Sequence, residues 1–387
     1  MVWRRGIRGP AAMAAATATI AAALALTACG TGDGNGGGGK GGSEDREKLY
    51  ERVLKDPHPS PADVIEAAGA PAAVARAGDG SLLLTYEANP VEDDEGPAAS
   101  AWRLFSPSGR TVADGARHRD AESTGPRFAG VRDGFVRVPP GEGDSAGGWL
   151  LDTRGKRHKV TTSAAALGTR PGDVLLSESE PTLLYRPSTR TVAPVARVPR
   201  DAHRLAVDEK GTAWSLDQPL SDGQDRVVRQ NAGRTRGSAP LPSPYTGGAV
   251  TARGGTVAVS LVRGGGVRGL LVTDDDGAHW RTVTGGGVPW KRLTRGPQSF
   301  VLEALSDGRL LVGEEGGRAW LADDGTNRRF HPLKTPSPPD SFTTLTARGT
   351  TLYGIADTTT ATYALAEGEG LWTSRDAGRT WKRHAPR

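Results

Sequence analysis

The chain has 387 residues, enough for two average domains or one large repeat architecture. Its 54 glycines and 27 prolines exceed ordinary usage, but Val, Leu, Thr and nine Trp are also plentiful, which argues against a disordered chain and for an all-β protein with many tight turns. The formal charge is +5, yet Lys and Arg are interspersed with Asp and Glu throughout, so no nucleic-acid footprint is expected.

At the N-terminus, Arg4, Arg5 and Arg8 form a positive region, and Ala11 to Leu26 form a short apolar one. A spanning helix needs about 20 apolar residues, so this reads as a signal peptide. The apolar run ends in Leu26-Thr27-Ala28-Cys29. That stretch resembles the bacterial lipobox, which implies that the Cys29 thiol receives a diacylglyceryl group and that cleavage makes Cys29 the first mature residue. Cys29 is the chain's one cysteine and could form no intramolecular disulfide; lipidation explains both its number and its place. The alternative is an ordinary signal peptide with a coincidental Cys. Two or more acyl chains would anchor stably, on the outer face of a bacterial cell membrane. Loss of the three arginines leaves the mature chain near +2. The Arg4-Arg5 pair also resembles a twin-arginine export signal.

Gly30 to Ser43, rich in Gly, reads as a flexible tether with a reach of roughly 20 Å. Gly34, Gly39 and Lys40 have the spacing of a phosphate-binding loop, but Gly41 stands where Ser or Thr should hold Mg²⁺, and no apolar strand precedes it. Glu44 to Lys55 predicts a short helix with Leu49, Val53 and Leu54 on one face. Ser60-Pro61-Ala62-Asp63 starts a second. This stretch is expected to be a loosely packed preface without a function of its own.

From about Gly80 the helical periodicity disappears, and short β-rich runs alternate with Gly, Ser, Asp and Pro turns. Seven hairpins recur: Leu104 to Val112, Leu150 to Val160, Leu184 to Val192, Val227 to Gly237, Leu271 to Val283, Ala319 to Leu333 and Leu371 to His384. Earlier strand pairs precede several of them, as at Thr251 to Val262, Leu302 to Val312 and Thr346 to Ile355. Units of about 44 residues with four strands each predict a β-propeller. Seven blades fit best, with six or eight as alternatives because residues 80 to 240 are degenerate. The expected domains are a signal peptide over 1–28, the lipidated Cys and linker over 29–43, a short helical segment over 44–79, and the propeller over 80–387.

Ser374-Arg375-Asp376-Ala377-Gly378-Arg379-Thr380-Trp381 has the Ser-x-Asp-x-Gly-x-Thr-Trp pattern, and Thr273 to Trp280 repeats it with Asp275 and Gly277 in place. A decayed copy, with Asp323 and Gly325, lies at Leu321 to Arg328. These stretches resemble the Asp-box, or bacterial neuraminidase repeat, of sialidases and related propellers. Their roles are expected to be structural: Asp275 and Asp376 accept turn N–H groups, Gly277 and Gly378 take positive φ, and Trp280 and Trp381 pack between blades. The resemblance places such boxes on outer blade turns, away from a central active site. Asp274 to Gly277 lacks the downstream bidentate Glu of an EF-hand, so no calcium site is expected.

Resemblance to sialidases also implies an arginine triad, a Tyr–Glu nucleophile pair and an Asp acid/base. Arg137 and Arg197 sit in the nearest matches to the family's N-terminal arginine motif, but both lack its aromatic residue, and Tyr353 and Tyr363 have no evident Glu partner. The seven His are scattered without zinc spacing, there is no Gly-x-Ser-x-Gly elbow, and carboxylates such as Glu178 and Glu180 read as surface charges. The expectation is a monomeric, non-enzymatic lipoprotein with no cofactor, held at the membrane through Cys29, whose propeller binds a protein or glycan. Non-catalytic Asp-box propellers of the sortilin and photosystem-assembly-factor type, which the last blade also resembles, mostly bind or assemble partners. The alternative is a divergent exo-sialidase or other glycoside hydrolase of sialidase fold.

Overall fold

A computed structural model describes residues 41–89, 97–119, 128–137, 148–176, 182–196, 205–217, 223–293, 299–314, 316–336, 342–348, 350–356 and 369–384. The lipobox, Cys29 and most of the Gly-rich stretch lie outside them.

Two helices come first. α1 spans Gly41–Lys55, starting three residues before the expected Glu44. α2 spans Pro61–Ala68. Ser60 caps α2 by accepting the Asp63 N–H at 3.1 Å, Pro61 takes the first helical position, and Gly69 stops the helix at φ 76°. No helix among the described residues is long and apolar enough to cross a membrane.

Seven four-stranded sheets follow, and they form the blades of a propeller. Blade 1 consists of β1 (Ala73–Arg76), β2 (Leu82–Ala88), β3 (Ala98–Phe105) and β4 (Thr111–Arg119). Blade 2 consists of β5 (Phe128–Val131), β6 (Gly134–Arg137), β7 (Trp149–Asp152) and β8 (Arg157–Lys159). Blade 3 has β9 (Thr161–Thr162), β10 (Val174–Leu175), β11 (Leu183–Arg186) and β12 (Thr191–Pro194). Blade 4 has β13 (Leu205–Val207), β14 (Thr212–Asp217), β15 (Arg226–Asn231) and β16 (Arg234–Pro240). Blade 5 has β17 (Thr246–Arg253), β18 (Thr256–Arg263), β19 (Gly266–Thr273) and β20 (Arg281–Val283). Blade 6 has β21 (Phe300–Ala304), β22 (Leu310–Glu314), β23 (Ala319–Ala322) and β24 (Phe330–Pro332). Blade 7 has β25 (Thr344–Arg348), β26 (Thr351–Ala356), β27 (Gly370–Ser374) and β28 (Lys382–His384).

Six of the seven expected hairpins are the outer pairs of their blades. Leu184 to Val192 is the exception, because it forms β11 and β12, the second and third strands of blade 3. The fourth place is filled by β9, which comes earlier in the chain and lies parallel to β12. Turn residues reveal a hairpin locally but not its place in the sheet, and a parallel partner leaves no turn signal. The first inner strand, β1, also falls inside the stretch expected to be helical, ahead of Gly80. It is short and Ala-rich, so its strand form comes from pairing with the apolar β2.

The core lies between blades. Alternation along each strand sends one set of side chains to each neighbour. Leu83 and Leu104 of blade 1 meet Phe128, Phe135 and Leu151 of blade 2, whereas Leu82, Leu84 and Tyr86 face the other way. Blade 1 uses N-terminal strands only and blade 7 C-terminal strands only, so among the described residues no strand is shared across the closure. Instead, Val53, Val64, Ile65 and Ala67 of the helices join Tyr86 and Ala101 of blade 1 and Tyr353, Ile355 and Leu371 of blade 7 in one buried cluster. Arg46 Nη2 donates to Ala67 O at 2.9 Å, and His118 Nε2 lies 2.9 Å from Leu54 O. The helices are therefore packed into the seam, which corrects the expectation of a loose preface.

Candidate functional site: the central channel

The inner strands converge on a cavity of about 360 Å³, lined by residues from all seven blades. The wall is mixed. Val131, Val174, Leu175, Val207, Ala252, Ala304 and Ala347 supply apolar surface, and Arg132, Asp173, Asp208, Glu209, Arg253 and Glu303 supply charge. Gly130 lets two inner strands approach, since a Cβ there would lie 2.0 Å from Arg76 O.

Most of the charges are already committed. Asp173 is gripped by Arg186 through two bonds of 3.1 and 2.7 Å and accepts the Arg170 N–H at 2.8 Å. Both side chains are almost fully buried, so the bidentate geometry offsets desolvation. Asp208 organises the β13–β14 turn, accepting N–H groups of Lys210 and Thr212 at 2.9 and 2.8 Å. Glu209 pairs with Arg253 at 3.0 Å. Glu303 differs. It is buried, and its Oε2 accepts the Ala347 N–H at 2.6 Å, tying β21 to β25. Burial pushes its carboxyl up to about 7, although bonds from Thr346 and Ala347 and the charge of Arg253 pull the other way.

The motif residues lie elsewhere. In blade 7, Ser374 Oγ donates to Asp376 Oδ1 at 2.8 Å and accepts the Gly378 N–H at 2.8 Å. Asp376 accepts the Thr380 N–H at 2.9 Å and its hydroxyl at 2.6 Å. These bonds hold the Asp376 carboxyl down at about 2. Gly378 sits at φ 80°, and a Cβ on it would come 2.3 Å from Leu333 of blade 6. Trp381 donates to Lys334 O at 2.7 Å, and its ring lies 4.7 Å from that of Phe342.

Blade 5 repeats the arrangement. Thr273 Oγ1 donates to Asp275 at 2.7 Å, Gly277 N donates to Thr273 Oγ1 at 3.1 Å, and His279 N donates to Asp275 at 2.9 Å. Trp280 meets Trp214 of blade 4 edge to face at 6.1 Å. The three consecutive Asp take three different partners: Asp274 pairs with Arg281, Asp275 with His279 and Asp276 with Lys210. In the decayed copy the organising residues are not those expected. Asp324, not Asp323, accepts the Thr326 N–H and hydroxyl at 2.8 and 2.6 Å, while Asp323 pairs with His331. Asn327 rather than Gly325 holds the positive φ, at 53°, and its amide bonds Leu310 N and Gly308 O. All three turns connect third to outermost strands and touch the preceding blade; none lines the channel.

Arg137 is buried in β6 and Tyr353 in β26 at the seam, so neither reaches the cavity lining. Arg197, Tyr363, Glu178 and Glu180 lie outside the described residues. Sequence reasoning missed Glu303; its signal was a lone carboxylate inside the apolar strand Phe300-Val301-Leu302-Glu303-Ala304. Among the described residues no three His, Cys, Asp or Glu come together as metal ligands.

No protein-family model matches the chain, and no curated protein does either. Among solved structures, the chain is similar to the β-propeller domain of the Trilobed protease from Pyrococcus furiosus, with 11% identity over 81% of this chain and 97% of that one, at a TM-score of 0.47. It is also similar to a puromycin-hydrolyzing peptidase of Mycobacterium tuberculosis, with 16% identity, 84% and 54% coverage and a TM-score of 0.46. A third is the uncharacterized protein lmo1340 from Listeria monocytogenes, with 13% identity, 70% and 82% coverage and a TM-score of 0.43. The chain spans about half the length of the peptidase.

Proposed function

We propose that this is an exported lipoprotein, anchored through Cys29, whose propeller binds a protein or glycan at the channel face without turning it over. The three turn motifs are Asp-boxes in this reading, used as fasteners between blades. The observation that carries the non-catalytic assignment is the composition of the channel wall. A sialidase-type site needs three convergent guanidiniums and a Tyr–Glu pair. Among the described lining residues there are two arginines, Arg132 and Arg253, and no tyrosine, and Arg253 is paired with Glu209. The mixed apolar and hydrogen-bonding wall suits binding.

The test is turnover by residues 41–387 on fluorogenic sialosides and a glycoside panel, with binding to cell-wall glycans and to extracted surface proteins measured in parallel. Binding without turnover, weakened by Arg132→Ala, is expected. Turnover abolished by Arg132→Ala or Arg253→Ala would make the protein a hydrolase.

A further inference from the structure

Outside the channel, one sign of charge gathers on the outer wall of blade 2. Arg154, Lys156, Arg157 and Lys159 fall within six residues, and the next carboxylate along the chain is Asp173. All four are exposed. The nearest acid along the chain, Asp152, is spent on the turn: it accepts the N–H groups of Arg154 and Lys156 at 3.0 and 2.9 Å and pairs with His158 at 2.8 Å. The Arg157 guanidinium lies 4.5 Å from the Trp149 ring, which fixes a long side chain without neutralising it. Lys159 is two residues further along β8, on the same face of the strand.

The charge extends to both neighbouring blades. Gly155 abuts Ala113 of β4, close to exposed Arg110 in the preceding turn. Exposed Arg190 of blade 3 accepts the Thr161 N–H through its carbonyl at 2.9 Å, just beyond the end of β8. None of these six cations has an ion-pair partner among the described residues. They follow an outer rim rather than lining a pocket, which suits an extended anionic surface better than a compact ligand. The adjoining exposed residues, Ala164 to Ala166, are too small to insert, so adhesion here is electrostatic.

We propose that this wall docks the propeller against an anionic phospholipid surface. Its bias towards a membrane rests on the lipid anchor at Cys29. The anchor's tether leads into α1, which packs at the seam of blades 1 and 7, on the face of blade 1 opposite this wall. A lipid anchor and a basic patch reinforce each other, and the second signal acts only within a Debye length, about 10 Å at 0.1 M salt.

The experiment is co-sedimentation of residues 41–387, which hold every described element and lack Cys29, with phosphatidylcholine vesicles with and without phosphatidylglycerol. Binding should require phosphatidylglycerol, weaken in about 0.5 M salt, and fall more than about tenfold in an Arg154→Glu, Lys156→Glu, Lys159→Glu triple variant that melts like the wild type. Equal binding to both vesicles, no binding, or an unaffected triple variant would overturn it. So would binding to soluble polyphosphate with none to vesicles, which would assign the wall to a soluble polyanion. Because Cys29 is absent, failure here leaves the anchor standing, and an unlipidated Cys29 leaves vesicle binding standing.

Discussion

Glu303 is an acid that the fold weakens. Its folded pKa of about 7 lies above the ordinary 4.5, so between those values the native state holds a proton that the unfolded state has released. Stability therefore falls as pH rises from about 4.5 to about 7 and is level above that. Glu303→Gln keeps an acceptor for the Ala347 N–H but cannot ionise. Its melting temperature should lack this decline, and parallel curves for the two proteins would refute the assignment. Asp376 has the opposite sign. Its pKa is depressed to about 2, so its contribution is present above the ordinary carboxylate range and is lost as pH falls towards 2. Glycine supplies a sharper test of the turn. Gly378→Ala should cost about 1–3 kcal/mol in denaturant melts, because it adds left-handed strain and a clash with Leu333. Gly237→Ala, which meets nothing within 4 Å, should change little.

At the scale of elements, legibility followed turn chemistry. The outer hairpins were readable because Asp and Gly at fixed offsets mark their turns, and Ser374 to Trp381 carries the full pattern. The inner strands of blades 5, 6 and 7 were readable too, as apolar pairs, whereas β1 and β10 were not, because β1 is short and Ala-rich and β10 has only two residues, and their strand form is set by their partners. The channel was illegible for the same reason: which residues face it depends on register around the whole ring, and Glu303 looks like any strand carboxylate until β25 is beside it. The basic run from Arg154 to Lys159 was visible but averaged away in the overall charge. The helices were visible too, but nothing local shows that Ile65 is buried at a seam. Ile65→Ala should cost about 2–5 kcal/mol, as a core truncation does, rather than the few tenths expected of a loose surface helix. Chemical denaturation distinguishes the two.

For the whole molecule, closure without a shared strand puts the ring's integrity on side-chain packing between blades 7 and 1 and on the two helices. Deleting the last 15 residues removes β28 and the fastening turn at Asp376, and it should abolish the cooperative melting transition. An unchanged transition would count against a closed ring. In the proposed function, lipidation at Cys29 is what holds the closed propeller at the cell surface. The most direct measurement is the intact mass and N-terminal sequence of the protein extracted from membranes of expressing cells. A chain that begins at Cys29 and carries a diacylglyceryl group, lost in Cys29→Ala, is expected. An unmodified chain beginning at another residue would contradict it.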